Sequence, residues 1–334
     1  MKALVTGATG FLGGALARRL KNMNWDVTAL GRNAARLDEL ESLDIQTNQI
    51  DLKDKEGMVK ACKEQEIVFH CAALPSPWGK FEKFYQANVI GTRNIIRGCE
   101  ENKIKRLVHV STPSIYFDYK SRINVKENDP LPDPISEYAH TKLLAEEELD
   151  KAFANGLATI AIRPRALFGP GDSVIFPRLI PRLQTGRLPI LGDGENVVDL
   201  TYIENVVDAL LLCAESPANT LGKKYNISNG EPVKIWRLVE RICDALDLPH
   251  PKRKISYQTA NAAASALELI YTFIPTYPEP PLTRVSVSML ANSTTLDITA
   301  AKNELGYQPK VSVDEGFDLF IKWWKETSSL RGNS

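Results

Sequence analysis

A short β run, Lys2-Ala-Leu-Val-Thr6, passes directly into Gly7-Ala-Thr-Gly10-Phe-Leu-Gly13. Three glycines three residues apart, between a strand and a helix, leave few folds open. Gly7 allows a tight turn. Gly10 lets backbone N–H groups approach a pyrophosphate with no Cβ in the way, and Gly13 lets the following helix pack close on the strand. The helix opening at Phe11 turns its free N–H groups and the positive end of its dipole toward the anion. Glycine spacing alone is weak and fits a turn without a ligand. Its place between strand and helix is what points to a dinucleotide. The residues expected to touch that dinucleotide are Gly7, Thr9, Gly10, Phe11 and Leu12.

The strand–helix pattern then repeats. Segments 27–30, 67–71, 106–110 and 157–162 read as further strands, and 13–23 has helical spacing. Alternation of this kind predicts an α/β fold, a Rossmann-type doubly wound parallel sheet with helices on both faces. The near-continuous apolar strands agree, because parallel strands are buried on both sides. After Arg163 the texture changes: Pro164, Gly169, Pro170, Gly171, Pro177, Pro181, Gly186 and Pro189 cluster, and helical patches follow at 203–214, 235–246 and 313–327. The expected division is a dinucleotide-binding domain over 1–165, with 195–225 returning to it. A smaller, mostly C-terminal α/β substrate lobe is expected from 166–194 and 226–330.

Charge and composition exclude several alternatives. Forty-one basic and 41 acidic residues cancel, whereas a nucleic-acid binder usually carries a basic excess. The five cysteines (Cys62, Cys71, Cys99, Cys213, Cys243) are scattered without a C-x-x-C pair. That pattern indicates reduced thiols in a cytoplasmic protein rather than a disulfide framework. His70, His109, His140 and His250 are far apart, and the first two read as core histidines, so no metal site is expected. The N-terminal segment lacks the apolar run of an export signal. The longest apolar stretch, 262–274, contains Ser265 and Glu268 and is too short and polar to span a bilayer.

The end of the second strand bears on cofactor choice. An acidic residue there would bind the ribose 2′-OH of NAD. This chain has Gly31-Arg32 instead. A guanidinium suits a 2′-phosphate, so NADP(H) is preferred over NAD(H), unless Arg32 is only a solvated loop charge. Asp51 and Leu52, after the next strand-like run, are placed at the adenine edge.

Tyr138-Ala-His-Thr-Lys142 lies in a helical stretch. Tyrosine and lysine at i and i+4 share a face, and a nearby ammonium lowers a phenol's pKa. The pair makes a tunable proton donor or acceptor. Val110-Ser-Thr-Pro-Ser114 follows a buried strand and offers hydroxyls at the carboxyl edge of the sheet, where open α/β sheets bind ligands. With Asn88-Val-Ile-Gly-Thr92, these motifs occur in the order found in extended short-chain dehydrogenases/reductases, and the whole chain resembles that family. The resemblance implies catalytic roles for Thr112 (with Ser111 as the adjacent fallback), Tyr138 and Lys142. Lys142 would lower the tyrosine's pKa and hold the nicotinamide ribose. The resemblance adds Ala72, Ala73, Asn88, Ser111 and Pro164 to the cofactor cleft.

The branch is suggested by other segments. Sugar-nucleotide members usually place a phosphate-gripping arginine where this chain has Val198, in Val198-Asp199-Leu-Thr-Tyr202-Ile. Arg178, Arg182 and Arg187 are the candidate substitutes, or else solvated surface charges. Ser76-Pro-Trp-Gly79, Leu191-Gly-Asp-Gly-Glu-Asn196, Pro280-Pro-Leu-Thr-Arg284 and Glu304-Leu-Gly-Tyr-Gln-Pro309 are similar to the 3β-hydroxysteroid dehydrogenase group. They look closest to its bacterial members that reduce 2-alkyl-3-oxoalkanoic acids in olefin and β-lactone formation. The expectation is an NADP(H)-dependent oxidoreductase interconverting a ketone and a secondary alcohol on an apolar substrate, such as a 3-keto acid or a steroid. The alternative is a nucleotide-sugar epimerase or dehydratase with tightly bound NAD; a non-catalytic dinucleotide-binding regulator fits poorly with an intact Thr112, Tyr138 and Lys142. The 262–274 stretch, with Trp78, Phe81, Tyr271, Phe273 and Tyr277, is a candidate pocket wall, lid or peripheral membrane contact. Family analogy also implies a homodimer.

Overall fold

The computed structural model describes residues 1–331. Seven parallel strands form the main sheet: β1 (Lys2–Thr6), β2 (Asp26–Gly31), β3 (Gln46–Gln49), β4 (Ile67–His70), β5 (Arg106–Val110), β6 (Thr159–Pro164) and β7 (Lys224–Ile227). Their spatial order is β3-β2-β1-β4-β5-β6-β7. The direction of winding reverses between β1 and β4, the switch point where sheets of this type open a ligand crevice.

Two close approaches explain the glycines at that point. A Cβ on Gly7, which has φ +70°, would lie 2.8 Å from the backbone N and Cα of Ala72. A Cβ on Gly13 would lie 2.4 Å from the Gly7 carbonyl oxygen. The chains leaving β1 and β4 therefore touch, and the Phe11–Asn22 helix sits directly on the turn. The inner strands are buried on both faces and carry Leu4, Val5, Val68, Phe69, Leu107 and Val108. β3 is different: Gln46-Thr-Asn-Gln49 is polar and half-exposed because it is the sheet edge.

The second lobe is interleaved with the first rather than appended to it. Its small sheet joins Val233–Lys234, Val197–Val198, Thr294–Leu296 and Arg122–Val125. The last of these comes from within 1–165, before Tyr138. Conversely, the Ile203–Glu215 helix and β7 belong to the main sheet, which extends through Ile227, two residues past the expected limit. Parallel pairing of Thr294 with Arg122 requires this crossing between the halves.

The Tyr257–Thr272 helix departs from the expectation of an apolar wall. Only Ala260 and Ala264 are buried, while Leu269, Ile270 and Phe273 face outward, Phe273 being 78% exposed. Nearby, Trp78 and Tyr277 stack with ring centroids 5.1 Å apart, and the Arg284 N–H donates to Glu268. No helix among the described residues is long and apolar enough to cross a membrane.

One buried ion pair ties the parts together. Arg163, at the end of β6, grips Glu146 of the Glu137–Ala154 helix with Nε at 2.8 Å and Nη2 at 2.5 Å. Burial pushes the Glu146 carboxyl up, but the bonds from Arg163 and Ser111 outweigh it and hold it below the usual range. Arg163→Met leaves a buried carboxylate unpaired and should cost about 3–5 kcal/mol in urea unfolding. Adding Glu146→Leu should recover most of that loss. A double variant no more stable than the single one would show that the pair is not the source of the cost.

Candidate active site

The site lies at the carboxyl ends of β1, β4, β5 and β6. Ser136 caps the Glu137–Ala154 helix by accepting the Ala139 N–H, which sets Tyr138 in the first helical turn. There the helix dipole favours negative charge on a phenol. Thr112 caps the short turn after β5: its Oγ1 accepts the Ser114 N–H and donates to the Ser114 hydroxyl at 3.0 Å. The Thr112 hydroxyl is the side chain that acts on the Tyr138 phenol. Burial raises the phenol above its ordinary value, and Thr112 opposes that.

Lys142 lies one turn further along and is fully buried. Its Nζ donates to the Val110 carbonyl at 2.8 Å and sits 3.0 Å from His109 Nε2. The ammonium is thus aimed at the end of β5, and the lowering of the tyrosine expected from it is not seen, Thr112 being the group that opposes burial. Burial brings Lys142 itself down to about 8, against the opposing influence of Glu146 and Cys71. The His109 ring is tilted against that of His70, with centroids 5.1 Å apart. Burial and the neighbouring ammonium keep both imidazoles neutral, His70 falling to about 3. His70 bridges Thr6 of β1 and Thr92, so a polar chain crosses the sheet from the glycine turn to Lys142.

The glycine loop fits a dinucleotide. Gly10 stands at the helix N-terminus with no side-chain cap and no acidic residue in the first turn, which leaves the N–H groups for an anion. A Cβ on Gly31, at the end of β2, would strike the Thr9 side chain at 2.3 Å. A cleft of about 840 Å³ borders the loop, lined among others by Thr9, Gly10, Phe11, Arg36 and Trp324. It approaches from the outer side of the first helix, and Thr112, Tyr138 and Lys142 are not among its lining residues. Leu12 is buried under the loop. Arg32 is 72% exposed and 3.7 Å from Asp51. Leu52 packs against Gly91, and its carbonyl accepts from Asn94.

These features have counterparts in known proteins. Residues 3–228 match the NAD dependent epimerase/dehydratase family. The chain belongs to that family. Among its relatives, the 2-alkyl-3-oxoalkanoate reductase of Stenotrophomonas maltophilia is 38% identical over 95% of this chain and 97% of its own. The human sterol-4-alpha-carboxylate 3-dehydrogenase, decarboxylating, is 32% identical over 99% and 90%. The solved structure of MoeE5 in complex with UDP-glucose and NAD superposes with a TM-score of 0.78 at 27% identity, covering 98% of this chain and 99% of that one. Within the epimerase/dehydratase family, the chain is an extended short-chain dehydrogenase/reductase and an NAD(P)-dependent oxidoreductase acting between keto and CH–OH groups.

Not every expected residue faces the cleft. Ala72 lies at the switch point, its backbone against Gly7 and its N–H donating to Thr6; Ala73 follows it, half-buried. Asn88 has both ends of its amide engaged internally, accepting from the Leu74 N–H and donating to Thr141. It tethers the 71–79 loop to the tyrosine helix instead of reaching outward. Ser111 donates to Glu146 at 2.5 Å in the interior, which removes it as an alternative to Thr112. Pro164 ends β6 and is buried. Arg178 pairs with Glu279, Arg182 donates to the Pro281 carbonyl, and Arg187 is exposed, so these three are surface charges. Sequence reasoning missed two residues: His109, whose contact with Lys142 depends on strand pairing, and Arg165. The visible signal for Arg165 was a second cation, in Arg163-Pro-Arg165, at the end of an apolar strand.

The Lys142 environment sets a pH dependence. Folded Lys142 releases its proton near 8 and the unfolded side chain near 10.5. Between those values the unfolded chain binds more protons, so this residue makes stability rise with pH. The unfolding free energy of wild type relative to Lys142→Met should therefore increase from pH 8 to 10.5. A difference independent of pH would contradict a lysine whose proton affinity is lowered by burial.

Proposed function

We propose that this chain reduces a ketone on an apolar substrate with NADPH, and runs the reverse alcohol oxidation with NADP⁺. The observation that carries this reading is the placement of Tyr138 and Thr112 together at the carboxyl edge of the sheet, where Thr112 acts on the phenol, with the Lys142 ammonium one helical turn away. The cofactor, held by Gly7, Thr9, Gly10, Phe11, Leu12, Ala72, Ala73 and the Pro164 strand end, supplies or accepts a hydride. Arg32 takes the 2′-phosphate at the end of β2, and Asp51 and Leu52 border the adenine.

Thr112 and Tyr138 hold the ketone oxygen. Because burial keeps the Tyr138 phenol protonated, it is poised to give its proton to oxygen as negative charge develops there. Donors aimed at that developing charge act where they favour the transition state over the ground state. Lys142 has bonds to Val110 and His109, which leaves one N–H of the ammonium for the ribose and the proton path. Five free cysteines, four of them buried, suit a reducing compartment, and we place the enzyme in the cytoplasm.

A sugar-nucleotide epimerase has the support of the structural neighbour that carries UDP-glucose and NAD. Against it stands Val198, which is buried in the small sheet opposite Val233 and Thr294 and offers no charge for a diphosphate.

Tyr138→Phe should bind NADPH as wild type does, by tryptophan-fluorescence quenching, and lose nearly all turnover followed at the nicotinamide absorbance. Near-normal turnover would end the assignment. Arg32→Ala should weaken NADPH binding by roughly 10- to 100-fold, the worth of charged hydrogen bonds, while leaving NADH binding unchanged. Equal effects on both cofactors would remove Arg32 from 2′-phosphate recognition.

A further inference from the structure

Among the described residues, the Arg165 guanidinium has no hydrogen-bonding partner. Its side chain projects from the end of β6, just past Pro164, and the residue is 5% exposed. Nε is buried without a hydrogen bond, and no ion pair involves Arg165 among the described residues. Its plane lies over the Phe117 ring, 4.8 Å from the centroid, which fixes its direction without satisfying its N–H groups. Asp199 is the opposite charge that acts on it, yet the Asp199 Oδ2 accepts the Leu296 N–H and its Oδ1 is itself unpartnered. Burial lowers Arg165 to about 10, which still leaves it charged at neutral pH.

A buried cation with unsatisfied donors is costly to keep. Its neighbour Arg163 shows how the same fold satisfies a buried guanidinium, with a bidentate carboxylate and a tyrosine hydroxyl. Arg165 instead lines a small pocket with Phe117, Lys120, Ile135, Ser288 and Met289. Two of its walls belong to the segments that carry the proposed site. Phe117 follows the turn that Thr112 caps, and Ile135 directly precedes the Ser136 cap of the Tyr138 helix. Its walls are two cations, two hydroxyls (Ser288 and Thr294) and apolar groups, a set that suits a carboxylate on an alkyl body. Free volume is about 10 Å³, room for one water-sized group. Met289 and Lys120 on the outer side are exposed, and a methionine repacks readily around an incoming chain.

We propose that Arg165 anchors a carboxylate of the substrate, making the substrate a keto or hydroxy acid rather than a neutral ketone. This rests on the oxidoreductase site described above and narrows it. A planar fork donating two parallel N–H bonds would hold the acid while Thr112 and Tyr138 hold the oxygen that reacts. The names of two relatives, an oxoalkanoate reductase and a sterol carboxylate dehydrogenase, both describe acids.

The test compares a 2-alkyl-3-hydroxyalkanoate with its methyl ester, each oxidised with NADP⁺ by wild type, Arg165→Met and Arg165→Lys. Arg165→Met should raise KM for the acid by roughly 10- to 100-fold and leave kcat/KM for the ester within about threefold of wild type; Arg165→Lys should recover part of the acid's affinity. Equal losses on acid and ester, or none on either, would overturn the anchor. Calorimetric titration with decanoate and decanol separates this from the reaction itself. Decanoate binding that is lost in Arg165→Met, in a protein that oxidises neither substrate, would keep the carboxylate site and discard the proposed reaction. Turnover with no preference for decanoate over decanol would keep the reaction and discard the site.

Discussion

The bidentate contact between Arg163 and Glu146 is the interaction on which the site's geometry depends. Tyr138, Lys142 and Glu146 are spaced by four along one helix, so they share a face over about 12 Å of helical rise. Fixing Glu146 fixes the direction in which the other two project. Arg163 also donates to the Tyr116 hydroxyl, which donates to Asn226 of β7, whose amide donates to the Val125 carbonyl in the second lobe. One guanidinium thus connects β6, the tyrosine helix, the turn after β5 and the lobe that covers it. Two charges buried in contact cost little only if every donor and acceptor is met, and here Ser111 supplies a further bond to Glu146. That demand explains why Ser111 turns inward and Thr112 is left to face Tyr138.

The charges around the crevice follow from burial. His70 and His109 lie in the path of the polar chain, but desolvation and the adjacent ammonium keep them neutral. They serve as acceptors and dipoles and add no charge. The positive potential at the carboxyl edge therefore comes from Lys142 and Arg165, with Arg32 at the far end of the loop. Both ligands expected there, a dinucleotide and an acid, are anions. Tyr138 is the complement: burial keeps it a neutral acid, the form that protonates an alkoxide. A reductive role therefore does not need the phenol to be depressed in the protein alone.

Much of this was legible in the sequence because it rests on local rules. The glycine spacing, the strand periodicity and the i, i+4 pair of Tyr138 and Lys142 each report on a few adjacent residues, and the sheet and helix they predict are present. What escaped was set by pairing between distant segments. Nothing in Arg122-Ile-Asn-Val125 announces that it will lie beside Thr294–Leu296. The Lys142–His109 contact exists because β5 runs beneath the helix, a separation of 33 residues. The 262–274 stretch was read by hydrophobicity alone, which cannot tell which side of a helix meets a neighbour; its largest apolar residues turned out to face outward.

Position 198 shows how one scaffold separates its substrates. Where sugar-nucleotide members usually carry an arginine, this chain has a valine packed in the small sheet, with Thr294 opposite it. Thr294 also lines the Arg165 pocket. On the proposed reading, the anion-binding charge is Arg165, at the end of β6, in an enclosed position with apolar neighbours. A diphosphate spreads its charge over several oxygens and needs an open, multi-donor cradle, whereas a single carboxylate is satisfied by one planar fork. The fold is shared with proteins that bind nucleotide sugars, so the backbone does not distinguish the two outcomes. On the proposed reading, the location of a single guanidinium, and whether its surroundings are polar or greasy, does.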